Sequence, residues 1–171
     1  EALKSYRKVL DLSPGFAHAH SNMLLSMHWV SSISPEEIFA EHQNFGRMYA
    51  PPSIANRSFP NTPDPGRRIR IGYLSPDIRK HSVAFFLEPL LDFRDRERFE
   101  VYGYGAVKTP DDVTRRLRAK FDRYRSVHDM PVPQLAALIQ GDELDILIDL
   151  AGHAGNLQIA VMGFKPALWL N

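Results

Sequence analysis

One histidine in this sequence, His81, combines a side chain suited to proton transfer with a position where ligands bind. Residues 68–91 read RIRIGYLSPDIRKHSVAFFLEPLL, in which a predicted strand ends at a Ser-Pro-Asp turn and His81 precedes Ser82, a typical helix N-cap. A neutral imidazole there could accept a proton from a hydroxyl, and the amides that begin the helix could face a diphosphate. Spacing alone, however, favours the alternative of a surface histidine in a turn.

A second polar segment follows the most apolar run of the chain, residues 144–150, which read LDILIDL. Asp149 lies at the end of this predicted strand, and Gly152 and His153 follow it. Glycine allows a backbone to approach a ligand closely, and crevices form at the edge where the carboxyl ends of parallel strands meet. We therefore expect these three residues to bind substrate. The alternative, in which Asp149 only caps the turn and His153 bonds to the loop, is equally compatible with the sequence.

Other patterns that carry chemistry are weaker. The Gly-Tyr-Gly at 103–105 is half of a dinucleotide-binding fingerprint and lacks the third glycine. Histidines occur at positions 18, 20, 28 and 42, but only the first two are close in sequence, and two positions apart they lie on different sides of a helix. The sequence also has no Asp-x-Asp pair of the kind that holds Mg²⁺ and a sugar nucleotide. No metal site and no cofactor are expected.

Strands alternate with helices in the part of the chain that carries both polar segments. The patterns predict strands at 69–74, 99–107 and 144–150, with a shorter one near 124–127. They predict helices at 83–93, at 110–121 with Thr109 as its cap, and at 133–140. Strands and helices that alternate in this way form parallel sheets through right-handed crossovers. Residues 67–171 are therefore expected to form an α/β, Rossmann-like lobe.

The preceding residues, 1–50, are predicted to be entirely helical. Ala2, Tyr6 and Pro14 belong to a pattern of small and large residues typical of a tetratricopeptide repeat, although an ordinary helical hairpin remains an alternative. A single repeat cannot bury its own apolar face, so this segment must dock on the α/β lobe or on further repeats. Residues 51–66 are predicted to be an extended connector, because a proline-rich segment cannot continue a helix. The connector contains Pro51, Pro52, Pro60, Pro63 and Pro65.

The composition limits the classes of function. The 21 Lys and Arg residues nearly balance the 20 Asp and Glu residues, so no overall field attracts nucleic acid or an anionic membrane, and the basic run at 115–125 is predicted to be a solvated face. There is no cysteine, no membrane-spanning apolar run and no signal peptide pattern, which favours the cytoplasm. The chain begins inside a helical pattern and stops after an apolar run, so we expect it to be a piece of a longer protein.

Three segments, in order, carry a resemblance to a known family. IRIGYLSPDIRKHSVAFFLEPLL, DRERFEVYGY and LDILIDLAGH, preceded by a tetratricopeptide-like end, resemble the N-terminal half of the catalytic region of the protein O-linked N-acetylglucosamine transferase and SPINDLY family. The resemblance implies one Rossmann-like lobe of a two-lobed GT-B glycosyltransferase that inverts, uses no metal, and transfers sugar to Ser or Thr of proteins. It also implies that His81 matches the histidine of the active-site cleft, which acts as a base or contacts phosphate.

Two features set this sequence apart within that family. The Gly152-His153 pair resembles the SPINDLY branch more than the animal N-acetylglucosamine transferases, which carry Gly-Tyr, so the donor is expected to be UDP-N-acetylglucosamine or GDP-fucose. Residues 165–170, KPALWL, resemble the family's Arg-Pro-Ala…Trp-Leu segment but are several residues shorter, which leaves the register of the last strand open.

The resemblance also bears on partners and on the isolated chain. It implies that the tetratricopeptide helices present acceptor proteins and that the donor binds mainly to a C-terminal lobe, so this chain alone is expected to be inactive. Two alternatives stay open. One is a non-catalytic tetratricopeptide scaffold whose α/β lobe only binds a partner, and the other is a different two-lobed sugar-nucleotide enzyme, such as an epimerase.

Overall fold

The computed structural model describes residues 1–51, 58–155 and 158–170; Pro52 of the predicted connector lies outside them. Its N-terminal part consists of helices α1 (Ala2–Leu12), α2 (Ala17–Met27) and α3 (Pro35–Tyr49). Helix α3 begins with a capping box, because Ser34 Oγ accepts a hydrogen bond from the Glu37 amide and the Glu37 carboxylate accepts one from the Ser34 amide. The tetratricopeptide identity of these helices stays a prediction.

The second part is a five-stranded parallel sheet, as the predicted α/β class requires. Its strands are β1 (Ile69–Ser75), β2 (Phe99–Gly105), β3 (Arg123–Ser126), β4 (Ile146–Asp149) and β5 (Trp169–Leu170). They lie in the order β3-β2-β1-β4-β5, and every pair is parallel. The connecting helices are α4 (Ser82–Phe93), α5 (Asp112–Arg118) and α6 (Val132–Gly141). None of the helices in the described residues is long and apolar enough to cross a membrane.

Helices cover both faces of this sheet. Successive residues of a strand point to opposite faces, so Tyr73 and Leu74 of β1 belong to different clusters. Tyr73 packs with Leu87 of α4 and Leu117 of α5, whereas Leu74 packs with Leu135 of α6. All of these side chains are buried. The apolar run at 144–150 contains β4, which lies between β1 and β5 and has strand neighbours on both sides.

The predicted start of one helix was wrong. The sequence pattern placed a helix at 110–121 with Thr109 as its cap, but α5 begins at Asp112 and Asp111 is the cap. One carboxylate oxygen of Asp111 accepts a hydrogen bond from the Thr114 amide at 2.8 Å, and the other accepts one from the Lys80 amide at 2.7 Å. Aspartate caps helices better than threonine, and here it also ties α5 to the loop that follows β1.

The glycines at 103 and 105, which match only half of a dinucleotide-binding fingerprint, have a packing role. A Cβ atom on Gly103 would lie 2.8 Å from the Tyr124 ring and 2.9 Å from the Phe121 ring, and a Cβ on Gly105 would overlap the Tyr124 hydroxyl. The two glycines therefore make room for aromatic rings over β2.

Strand β5 resolves the question of register. Trp169 pairs with Ile146 and Leu170 with Leu147, and the Trp169 amide donates to the Asp145 carbonyl at 2.8 Å. A 3-10 helix, Gln158–Phe164, leads from the end of β4 toward this strand. The shortened segment thus still places a fifth parallel strand beside β4.

The connector is attached to the lobe by one buried carboxylate. Asp145 accepts two hydrogen bonds from the Arg67 guanidinium at 2.6 Å, one from Asn61 Nδ2 at 2.8 Å and one from the Arg70 amide at 2.9 Å. Burial opposes ionisation of Asp145, but the hydrogen bonds from Arg67 and the Arg70 amide outweigh it and lower the pKa of the carboxyl group. The end of the connector is therefore fixed at the start of β1.

Replacing this carboxylate should destabilise the lobe. We expect Asp145→Ala to lower the free energy of unfolding by about 3 kcal/mol, because it leaves the Arg70 amide and the Arg67 guanidinium without their acceptor. Glu143→Ala is the matched control, since Glu143 pairs with Arg70 at the surface and such pairs contribute about 1 kcal/mol or less. Urea unfolding at neutral pH measures both, and equal losses in the two variants would contradict the anchoring role.

Candidate active site

The loop between β1 and α4 is held at both ends by hydrogen bonds. Ser75, which is fully buried, accepts a hydrogen bond at its Oγ from the Asp77 amide at 2.9 Å. At the other end, the Lys80 amide donates to Asp111 at 2.7 Å. The Ala106 amide after β2 donates to the Ser75 carbonyl at 2.9 Å, which joins the ends of β1 and β2. His81 therefore extends from a well-fixed loop at the carboxyl edge of the sheet.

His81 is itself the N-cap of α4, so the prediction that Ser82 caps this helix was wrong. The His81 backbone is extended, and its Nδ1 accepts a hydrogen bond from the Val83 amide at 3.3 Å. Ser82 is the first residue of the helix. An imidazole acceptor can replace the usual hydroxyl or carboxylate oxygen because it reaches the same amide two residues ahead.

This cap decides which ring nitrogen of His81 is available. A neutral imidazole has one N–H and one lone pair, and the lone pair of Nδ1 is used by the Val83 amide. The proton of the neutral ring is therefore on Nε2. Asp77 Oδ2 lies 3.9 Å from Nδ1, beyond hydrogen-bonding distance. The His81 side chain is 38% exposed. His81 can thus donate a hydrogen bond from Nε2 to a group bound beyond the sheet.

Asp149 lies at the end of β4, paired with Leu74 of β1. Its carboxylate accepts hydrogen bonds from the Ala151 amide at 3.3 Å and the Gly152 amide at 2.8 Å. Gly152 has a φ of +53°, in the left-handed region that favours glycine. Burial raises the pKa of Asp149, and the two amides oppose this shift. These contacts are those of the alternative in which Asp149 caps the turn after β4.

The loops that follow β1 and β4 pack against each other. A Cβ on Gly155 would lie 3.1 Å from Pro76 Cγ, and the Leu150 amide donates to the Leu74 carbonyl at 3.0 Å. The structure thus brings Asp149 and Gly152 to the same edge of the sheet as His81. Among the described residues, no hydrogen bond joins His81 to Asp149, Gly152 or His153.

His153 bonds to the helical segment, and not to its own loop. Its Nδ1 lies 2.8 Å from Ser21 Oγ on α2, and its Nε2 lies 3.2 Å from His42 Nδ1 on α3. Phe45 packs edge-on against the imidazole, with ring centroids 5.0 Å apart. Burial, followed by the neighbouring histidines, lowers the pKa of His153 to about 4. Both ring nitrogens are therefore occupied by contacts within the protein.

The cluster of histidines around His153 was not predicted from the sequence. His42 Nε2 also lies 3.1 Å from His28 Nε2, so Ser21, His153, His42 and His28 form one hydrogen-bonded set, here called the histidine network. His42 and His153 are 111 positions apart, and no local pattern connects them. The ring nitrogens form a line of separate pairs and do not converge on one point. No three His, Cys, Asp or Glu side chains within the described part of the chain could hold a metal ion.

A polar cleft opens beside the His81 loop. It has a volume of about 250 Å³ and is lined by Pro76, Arg79, Ala106, Lys108 and Thr109, which follow the carboxyl ends of β1 and β2. Arg79 pairs with Asp77 at 3.0 Å, whereas the exposed Lys108 has no ion-pair partner among the described residues. The charged side chains that line the cleft are therefore cationic. His81, which carries an N–H donor, comes two residues after Arg79 in the sequence.

Comparisons with known proteins show which proteins this chain resembles. The model of glycosyl transferase family 41 matches residues 17–170. A protein of Petunia hybrida described as a probable UDP-N-acetylglucosamine–peptide N-acetylglucosaminyltransferase SPINDLY is 31% identical over 162 residues, which cover 92% of this chain and 17% of that protein. A Caenorhabditis elegans UDP-N-acetylglucosamine–peptide N-acetylglucosaminyltransferase is 27% identical over 61% of this chain and 10% of its own length.

A solved structure agrees with these sequence matches. A mutant of the O-GlcNAc transferase of Thermobaculum terrenum superposes with a TM-score of 0.90 at 35% identity, over 98% of this chain and 32% of that one. The chain thus spans about a sixth of the length of its SPINDLY relatives and a third of the solved structure. The family model extends over both loops at the carboxyl edge of the sheet. The chain belongs to glycosyl transferase family 41.

Proposed function

We propose that the full-length protein is a protein O-glycosyltransferase, which moves N-acetylglucosamine or fucose from a nucleotide to Ser or Thr of acceptor proteins. One observation carries the proposal: in a chain of glycosyl transferase family 41, His81 presents Nε2 at the carboxyl edge of a Rossmann-like sheet. Ligands bind at this edge in open α/β sheets. The names of the relatives support the sugar and peptide substrates.

In the proposed reaction, the acceptor hydroxyl oxygen attacks the anomeric carbon from the side opposite the nucleotide. The bond between that carbon and the diphosphate oxygen breaks, and the electron pair leaves with the diphosphate. A hydrogen bond from His81 Nε2 to the diphosphate stabilises the charge that develops there. This assignment is favoured by the Val83 amide, which occupies Nδ1 and leaves the proton on Nε2.

The same geometry bears on the proton of the acceptor hydroxyl. A ring whose lone pair is bonded to the Val83 amide cannot take up that proton without giving up its cap. A phosphate oxygen of the donor is then the proton acceptor, and His81 acts as a donor throughout. Of the two roles that the family resemblance allows, phosphate contact is the one we propose.

The second loop contributes backbone groups. Asp149 holds the Gly152 amide in a fixed turn. Apart from its two chain neighbours, none of the described residues has an atom within 4 Å of where a Cβ on Gly152 would be, so there is space above this glycine. We assign substrate contact to the Gly152 backbone and a supporting role to Asp149. His153 supports the loop through its contacts with Ser21 and His42. Acceptor binding by the helical segment and a cytoplasmic location belong to the same proposal.

The test is a transfer assay with the full-length protein. Purified protein is incubated with a mixture of acceptor peptides and either UDP-N-acetylglucosamine or GDP-fucose, and the peptides are examined by mass spectrometry. We expect a sugar on Ser or Thr with one of the two donors. If neither donor labels a peptide while the protein still binds peptides, the non-catalytic scaffold is the better description.

A further inference from the structure

The histidine network is a polar contact between the helical segment and the loop after β4. It draws Ser21 from α2 and His42 from α3 onto one side chain of the lobe, His153. Ser21 is 3% exposed and Phe45, which covers the His153 ring, is 7% exposed. Breaking the bond to Ser21 is costly, because the buried Ser21 hydroxyl would be left without a partner. The orientation of the His153 ring is therefore closely determined by the helices.

The orientation of this ring is linked to the active-site loops through the backbone. His153 directly follows Gly152, whose amide is held by Asp149, and it precedes Gly155, which packs on Pro76. Pro76 begins the loop that ends at His81. A displaced His153 ring would thus move the Gly152 amide and, through Pro76, the loop of His81.

We propose that His42 and Ser21 are positioning residues of the glycosyl-transfer site and act through His153. The proposal rests on the proposed function. The helical segment is then a structural part of the active site in addition to any role in presenting acceptors. His42 matters most, because it is the central member that connects His153 to His28.

The protonation of the network follows from its hydrogen bonds. Each neutral imidazole offers one donor and one acceptor, so the three rings and the Ser21 hydroxyl can be paired from one end to the other. Two added protons would place N–H groups against each other at one link. The ionisable groups that face His153 and His42 are His20, His28 and Glu41.

The contact should weaken in acid. Burial lowers the pKa of His42 and lowers that of His153 to about 4 from an ordinary value of 6.5. Between pH 6.5 and about pH 4, His153 binds more protons in the unfolded or undocked chain than in the folded chain. The stability from this contact is thus complete above pH 6.5 and is lost as the pH falls toward 4.

The experiment compares three variants of the full-length protein. His42→Leu removes the partner of His153, His42→Asn replaces Nδ1 with a side-chain amide, and His18→Leu is the matched control on the exposed side of α2. We expect His42→Leu to lower kcat about tenfold, with KM for the donor within about twofold, because a misplaced site loses rate more than binding. His42→Asn should recover most of kcat, and His18→Leu should resemble the wild type.

Two further measurements distinguish positioning from general loss of structure. Histidine ring NMR should show His153 neutral at pH 5.5 in the wild type, with a shifted Nε2 signal in His42→Leu because Nε2 has lost its partner. Ser21→Ala should give a smaller loss of kcat if His42→Leu does not fold. Equal kcat values in His42→Leu and His18→Leu, or in His42→Leu and His42→Asn, would overturn the proposal. Absence of transfer by the wild type would instead overturn the proposed function.

Discussion

The full-length His81→Asn variant is expected to fold like the wild type and to transfer sugar at least about a hundredfold more slowly. The side-chain oxygen of asparagine can accept the hydrogen bond from the Val83 amide, so α4 keeps its cap. Asparagine has no group at the position of Nε2, however, and the diphosphate loses its donor. The variant thus separates the two roles of this residue.

His81→Ala removes both roles together. It should lose transfer to the same extent and also lower the free energy of unfolding by about 1 kcal/mol, the usual cost of an N-cap. Initial rates with the preferred donor and urea unfolding curves measure the two effects. His18→Asn is the control for replacing a histidine that lies at the surface. A rate for His81→Asn within about threefold of the wild type would remove His81 from the mechanism, since loss of one preorganised donor costs far more.

The isolated 171-residue chain is expected to fold and to show no transfer from either donor. The cleft beside the His81 loop is open, and the described residues that line it follow β1 and β2. The chain covers only 32% of the related O-GlcNAc transferase structure, and the proposed mechanism needs a second lobe to bind the nucleotide. One wall cannot exclude water or hold the donor in line with the acceptor.

This expectation is measured by assaying the isolated chain and the full-length protein at equal molar concentration. Circular dichroism of the isolated chain confirms that its helices and sheet are present, so that inactivity is not a result of unfolding. The isolated chain with His81→Asn is the control for background. Transfer by the isolated chain that His81→Asn abolishes would contradict the two-lobed account.

The sequence predicted the class of the lobe and the edge where the site lies because both depend on local patterns. Alternating apolar segments located β1, β2 and β4, and the turns that follow them placed His81 and Asp149 at the carboxyl edge. The family motifs then raised His81 above a surface histidine. The prediction that Ser82 is the cap was wrong, because the cap depends on which side chain turns back toward the Val83 amide.

The partner of His153 could not have been predicted. Hydrogen-bonding to the loop and contact with substrate were both reasonable for a histidine after a glycine, yet the ring bonds to Ser21 and His42. These contacts depend on how the helical segment docks on the lobe, and a single sequence holds no periodic signal for that docking. The same limit explains why four separate histidines at 18, 20, 28 and 42 gave no hint of a network.

The most direct test of the account is the ring spectrum of His81 in the full-length protein, labelled with ¹⁵N-histidine, with and without saturating nucleoside diphosphate. The account predicts a neutral ring protonated at Nε2 before binding, and a shift of the Nε2–H signal when UDP or GDP binds, with the His18 signal unchanged. A proton on Nδ1, or a His81 signal that does not move with either bound diphosphate, would contradict the claim that His81 donates to the leaving group.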